Sequence, residues 1–355
     1  LYLAFNSKAA EEAALKMPIN TVCKTTHSLA WRAIIASNNL LKSKLKRPPY
    51  NPNKYVNAGS TVKEIKILCN VKGVAGANAL SVARVAKQTV SNFESSASSE
   101  IISEHIPYKE VSKLEKKAEE LLTPFSKTQF IDSVLDCAKE LWRQRINKNS
   151  PVVITHDTYL KLYQLSKPVI NYDVIFLDEA QDTSDCVIDI VMQQVKRGTQ
   201  LVVVGDEYQA IYGWRGAVNA LAKMDIPITT LSQSWRYGSE VASIATDILN
   251  GEMVVKGAPH LNTEVGEVDV NKPYTHLFRT NAKLIQQGVG LIRKGIKVRL
   301  DVNVEGFVKM LTSMVALKYG DAKNVKHEDV VIHSTWADLL EEAEVVKGEL
   351  KLLSG

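Results

Sequence analysis

Two rhythms of apolar and polar residues alternate along the chain. Residues 1–5, "LYLAF", form a short apolar run of strand type, and 8–16, "KAAEEAALK", are strong helix formers. Residues 25–37, "TTHSLAWRAIIAS", open with hydroxyl caps and continue as a second helix. From 38 to 60 the chain is basic, proline-bearing and weakly periodic, the mark of a boundary or exposed loop. Residues 61–147 then read as mostly helical, broken by the serine-rich "SNFESSASSE" at 91–100. The strand rhythm returns after 151. Residues 172–177 ("YDVIFL"), 200–205 ("QLVVVG") and 226–231 ("IPITTL") are short, β-branched and apolar on both faces, with helical stretches between them. Strand-like pieces follow at 275–278 and 297–302, with a helix at 280–294 and two more helices to the end. Parallel strands buried between helices give this pattern, so an α/β fold is predicted.

Composition narrows the class. The 355 residues allow two or three domains, and 45% hydrophobic with 23% charged residues is ordinary for a globular chain. No apolar run approaches the ~20 residues of a membrane span, which argues for a cytoplasmic protein. The net charge of +5 is compatible with a nucleic-acid partner. Four scattered cysteines without C-x-x-C spacing argue against a zinc site or disulfide framework and for a reducing compartment. The basic run Lys42, Lys44, Lys46, Arg47 reads as a solvated face rather than a duplex contact.

Chemistry concentrates where apolar strands end in acids. "VIFLDEAQD" (174–182) runs straight into Asp178 and Glu179. In parallel sheets, ligands bind outside the carboxyl ends of the strands. An Asp there can hold Mg²⁺ on nucleotide phosphates, and an adjacent acid can orient or deprotonate water. "VVVGDEYQAIYGWRGA" (202–217) repeats the design, ending in Gly205 and Asp206, then Gln209, Tyr212, Trp214 and Arg215. A Gln near a γ-phosphate can report its presence. Trp beside Arg is a stacking platform for an unpaired base, although spacing alone also allows Tyr212 and Trp214 to be core aromatics.

In this order, "LDEAQD" and "GDEYQAIYGWRGA" resemble motifs II and III of superfamily 1 DNA helicases of the UvrD and PcrA type. "LYLAFNSKAAEEA" resembles motif Ia and "TTHSLAWR" the DNA-contacting motif after it. "LSQSWRYGSEVASIA" (231–245) resembles motif IV, and "LFRTNAK" (277–283) the segment that follows. "TTHSLAW", "ITHDTYLKL" and "LSQSWRYG" are most similar to the F-box DNA helicase branch and its bacterial and phage relatives, although the chain shows no F-box.

The resemblance implies RecA-like parallel sheets of the P-loop NTPase type, in two motor domains with mostly helical insertions. The first domain would comprise 1–40 and 150–225, with an insertion at 41–149. A second would begin at 226–302, and a second insertion at 303–355. Asp178 would ligate Mg²⁺, Glu179 would be the catalytic base, Gln209 would sense the γ-phosphate of ATP, and Arg236 would reach it across a cleft. Trp235, in place of the family's Tyr or Phe, would stack on adenine. Phe5, Asn6, His27, Tyr212, Trp214, Arg215 and Asn281 would line a single-strand groove. The expected activity is ATP-dependent 3′ to 5′ translocation on single-stranded DNA and at single–double-strand junctions, in the cytoplasm, nucleoid or host cytoplasm.

The family's phosphate loop, G-x-x-x-x-G-K-[ST], does not occur in these residues, nor do motifs V and VI. The expectation is a piece of a larger motor, inactive alone. Two rivals stand beside it. One is a non-hydrolysing single-strand-binding paralogue, and the other a metal-dependent nuclease using Asp178, Glu179, Asp182 and Asp206.

Overall fold

The computed structural model describes residues 1–45, 59–74, 76–210, 224, 227–302, 304–327, 330, 333, 335–337 and 339–340. The chain divides into two compact units, Leu1–Met224 with Glu305–Val346, and Asp225–Val304 with Lys347–Gly355.

The first unit is organised by a four-stranded parallel sheet in the order β2-β1-β3-β4. Its strands are β1 (Tyr2–Ala4), β2 (Cys23–Thr25), β3 (Val174–Leu177) and β4 (Gln200–Val203). β1 sits in the middle, pairing Tyr2 with Cys23 on one side and with Phe176 on the other. The expected strands at 1–5, 172–177 and 200–205 are present in shortened form. β2 was not expected. "CKT" carries no alternation, and only its parallel register with β1 makes it a strand. Burial is deepest at the centre, where Leu3, Ile175 and Leu177 are at most 3% exposed. β4 is partly exposed along its length.

Helix α1 (Ser7–Ala14) starts at Asn6, whose side chain accepts the Ala9 N–H at 2.9 Å. Residues 26–35 divide into α2 (Thr26–Ala30) and a π-helical turn, Trp31–Ile35. π turns widen a helix by one residue and often accompany functional sites.

Between α3 (Asn39–Ser43) and β3 lie α4 (Val62–Leu68), α5 (Ala79–Ser95), α6 (Tyr108–Glu120), α7 (Lys127–Ile146) and α8 (His156–Leu165). Helices α4–α7 share one apolar core, including Ile65, Val82, Phe93, Val111, Phe130 and Leu141. Buried cations join this layer to its neighbours. Lys44 Nζ donates to the carbonyls of Gln144, Arg145 and Asn147 at 2.8, 2.8 and 2.5 Å, closing the C-terminus of α7. Lys44 is only 7% exposed, so the solvated face expected for the basic run is wrong at this position. Orphaned helix carbonyls, not solvent, claim its ammonium. Lys46 and Arg47 lie outside the described residues. Arg145 and Glu94 form an ion pair at 2.6 Å with both side chains 1% exposed. Lys161 of α8 donates to the carbonyls of Ser96 and Ser98 and sits 4.4 Å above the Phe93 ring. After β3, α9 (Asp185–Val195) leads to β4.

The second unit holds α10 (Ser239–Ile248) and α11 (Asn281–Arg293), and α12 (Val304–Lys318) follows. The strands expected at 226–231, 275–278 and 297–302 are not formed among the described residues. Ile228, Leu231 and Leu277 are 74, 86 and 91% exposed. A β-branched run becomes a strand only when it finds a ladder partner, and among the described residues these segments have none. The bridge Gln233–Lys256 is the pairing there. Among the described residues, no helix is long and apolar enough to cross a membrane.

Candidate active site

The carboxyl ends of β3 and β4 bring the acids together. Asp178 follows β3 directly, its N–H donating to the Leu3 carbonyl at 3.0 Å. Its carboxylate is held at both oxygens. Oδ2 accepts the Tyr2 hydroxyl at 2.5 Å and Oδ1 accepts the Glu179 N–H at 3.0 Å. Tyr2 lies on the adjacent strand. Burial, then its bond to Asp178, pushes the phenol well above its ordinary pKa, so it stays a donor. Sequence reasoning overlooked Tyr2, because its role depends on a register that pairs position 2 with 176.

Glu179 turns the chain. Its backbone is left-handed, φ 51° and ψ 48°, and leads into a single 3₁₀ turn, Ala180–Asp182. A non-glycine residue there costs roughly 1–3 kcal/mol and persists only where its surroundings hold it. The Ala180 N–H donates to the Val204 carbonyl at 3.0 Å, tying this turn to the end of β4. The Glu179 side chain is exposed, and its Oε2 accepts from Gln181 Nε2 at 2.6 Å.

Beyond β4, Asp206 caps a 3₁₀ turn, Glu207–Gln209, through the Tyr208 N–H at 3.0 Å. Its other carboxylate oxygen accepts from Gln209 Nε2 at 2.6 Å. Gln181 Oε1 accepts the Asp206 N–H at 3.0 Å, so Asp178, Glu179 and Gln209 share the carboxyl ends of β3 and β4 and one hydrogen-bond network. Tyr212, Trp214 and Arg215 lie outside the described residues.

One carboxylate at a strand end suits Mg²⁺ that keeps its waters and substrate phosphates as its other ligands. The half-buried Asp178, oriented at both oxygens, fits that role. No group of three or more His, Cys, Asp or Glu side chains is placed to hold a metal ion among the described residues. The nuclease reading with Asp182 and Asp206 thus finds no gathered ligand set.

The other expected contacts fall elsewhere in the first unit. Phe5 is 38% exposed just past β1, and Asn6 caps α1. His27 Nε2 lies 3.2 Å from Asp157 Oδ1, with its ring edge-on to Tyr159 at 6.1 Å. Trp31 in the π turn meets the same Tyr159 edge-on at 5.8 Å. Asp157 and Tyr159 come from "ITHDTYLKL", quoted above for resemblance alone.

Within the second unit, Trp235 and Arg236 are both exposed, Trp235 by 66%. The loop carrying them is fastened to 256–263. Ser234 N–H donates to the Lys256 carbonyl at 2.8 Å, Ala258 N–H to the Tyr237 carbonyl at 2.8 Å, and Gln233 Nε2 to the Gly257 carbonyl at 2.7 Å. Gly238 and Gly257 touch backbone to backbone, where a Cβ on Gly257 would stand 2.2 Å from the Gly238 carbonyl carbon. One face of Trp235 stacks on His260, with centroids 6.1 Å apart and planes 24° from parallel. Asn281 is the first residue of α11, behind the cap Thr280.

The family described as UvrD/REP helicase N-terminal domain matches residues 1–224, which include the acids, Gln209 and the helical layer. The chain belongs to the UvrD/REP helicase family. It is 33% identical over 329 residues to F-box DNA helicase 1 of Gallus gallus, covering 89% of this chain and 30% of that protein. To F-box DNA helicase protein 1 of Schizosaccharomyces pombe it is 33% identical over 324 residues, covering 82% and 34%. An ATP-dependent DNA helicase PcrA of Staphylococcus aureus is 32% identical over 119 residues, covering 30% of this chain and 16% of that protein. The chain thus spans 30% and 34% of the lengths of its two F-box relatives. Membership in the UvrD/REP family agrees with the resemblance drawn from the motifs and with the parallel α/β sheet.

Proposed function

We propose that the chain contributes half of an ATP-hydrolysing site to a DNA helicase that moves 3′ to 5′ along single-stranded DNA and engages single–double-strand junctions. The observation that carries this reading is the shared edge of β3 and β4. There Asp178 and Glu179 sit one hydrogen-bonded network away from Gln209. Mg²⁺, when bound, offsets the phosphate charge. Asp178 holds it, with Tyr2 and the Glu179 N–H keeping the carboxylate oriented. Glu179 accepts a proton from the attacking water, and Gln209 meets the γ-phosphate. Trp235 offers its exposed face to adenine, and Arg236 adds positive charge to the phosphates.

In this reading residues 1–40 and 150–225 make the first RecA-like domain, with 41–149 inserted into it. Residues 226–302 begin a second domain, and 303–355 a second insertion. The residues assigned to single-stranded DNA are Phe5, Asn6, His27 and Asn281, with Tyr212, Trp214 and Arg215 outside the described residues. The identities of 33% to two proteins named DNA helicases support the DNA substrate.

The test is ATP hydrolysis by the longest natural polypeptide carrying this chain, with and without single-stranded DNA. Glu179→Gln lowers turnover ~10²–10⁴-fold while nucleotide still binds. DNA affinity indifferent to nucleotide, with no hydrolysis, would instead identify a single-strand-binding paralogue. ATP-independent cleavage lost in Asp178→Ala would identify a nuclease.

A further inference from the structure

Between the two halves of this site lies a side chain that neither motif reading assigns. Gln181 is 2% exposed, at the middle of the turn after Glu179. Its Nε2 donates to Glu179 Oε2 at 2.6 Å, and its Oε1 accepts the Asp206 N–H at 3.0 Å. The amide can face only one way. Exchanging O and N would set a donor against the Asp206 N–H and an acceptor against a carboxylate.

The backbone opposite is shaped to receive this amide. A Cβ on Gly205 would stand 2.6 Å from Gln181 Oε1 and 3.1 Å from the Ala180 nitrogen, so only glycine allows the approach. Asp206, held by Gln181 through its backbone, holds Gln209 through its carboxylate. A continuous path therefore runs from the carboxylate of Glu179 through one buried amide to Gln209.

We infer that Gln181 is a positioning residue, which fixes the carboxylate of Glu179 and binds it to the turn that carries Gln209. This rests on the hydrolytic reading above. Glu179 extends from a left-handed backbone with an exposed side chain, so its rotamer is otherwise unguided. A carboxylate that must meet a water in line with a phosphate loses rate steeply when misaligned. The Gln181 amide supplies the alignment. Because the same amide grips Asp206, the base takes its orientation from the turn that carries Gln209. A purely structural Gln181 would serve only the Asp206 N–H.

Two variants separate these roles in the longest natural polypeptide carrying the chain. Gln181→Glu keeps an acceptor for the Asp206 N–H but, when ionised, sets a like charge against Glu179 where the amide donated. Gln181→Met keeps volume and loses both bonds. A positioning role predicts that both lower kcat for ATP by about 10–100-fold, the range typical of supporting groups. The KM for ATP stays within about threefold, since neither variant removes a side chain placed on the nucleotide and Asp206 keeps its carboxylate bond to Gln209. Gly205→Ala, which displaces the amide, gives the same split and carries the test if a Gln181 variant does not fold. Turnover by Gln181→Glu within twofold of wild type overturns the inference, as does a KM that rises in step with the fall in kcat. Glu179→Gln run alongside keeps the two claims apart. Normal turnover there would overturn the assignment of the base itself, whatever Gln181 does.

Discussion

Replacing Glu94 tests what joins α5 and α7 to the start of α8. Glu94 on α5 and Arg145 on α7 are each 1% exposed and bonded at 2.6 Å. Glu94 also accepts from the hydroxyls of Thr158 at 2.6 Å and Thr155 at 3.4 Å, at the start of α8. One carboxylate thus joins three helices. Glu94→Leu leaves a guanidinium out of water with no counter-charge, a loss of roughly 3–5 kcal/mol. The Thr158 hydroxyl loses an acceptor but keeps Thr155 at 3.0 Å, adding about 0.5–1.5 kcal/mol at most. A buried pair replaced whole by apolar groups of similar volume is often neutral. The double variant Glu94→Leu/Arg145→Met therefore recovers most of the loss, and the single effects do not add. Urea unfolding followed by circular dichroism measures all three variants. A Glu94→Leu cost below about 1 kcal/mol, or strict additivity in the cycle, would refute this account of the pair.

Two further outcomes follow from the same structure. Burial pushes the Lys44 ammonium down to about 8 from its ordinary 10.5. The unfolded chain then holds that proton more tightly, so stability rises with pH between about 8 and 10.5, and Lys44→Met removes that slope from urea midpoints. Trp235→Ala raises the Kd for ATP by about 2–10-fold, the worth of one aromatic stack, while His260→Ala, which removes only the ring behind Trp235, has a smaller effect; fluorescent-nucleotide titration compares them.

The parallel sheet was legible where apolar runs ended in acids. β3 and β4 announce themselves by β-branched residues, and Asp178 and Glu179 by where those runs stop. β2 was not legible, because three residues without periodicity become a strand only through a neighbour's register. Helices at 61–147 could be read from period alone, but the buried cations that anchor them could not. Lys44 looks solvated in a basic run until the C-terminus of α7 is placed against it. Tyr2, Asp157, Gln181 and His260 escaped for a shared reason. Each acts through a partner distant in sequence or on another element, and local spacing carries no trace of that partner. Gln181 stood inside the quoted motif, yet nothing in "DEAQD" says its amide turns inward to Asp206. In the second unit, β-branched composition suggested strands where no ladder forms among the described residues, since propensity cannot supply a partner.

The most direct test of the central claim is single-stranded-DNA-dependent ATP hydrolysis by the longest natural polypeptide carrying this chain, measured beside its Glu179→Gln variant. The account predicts hydrolysis that DNA accelerates, with turnover falling ~10²–10⁴-fold in the variant at unchanged nucleotide affinity. Hydrolysis of equal rate in both proteins would contradict it.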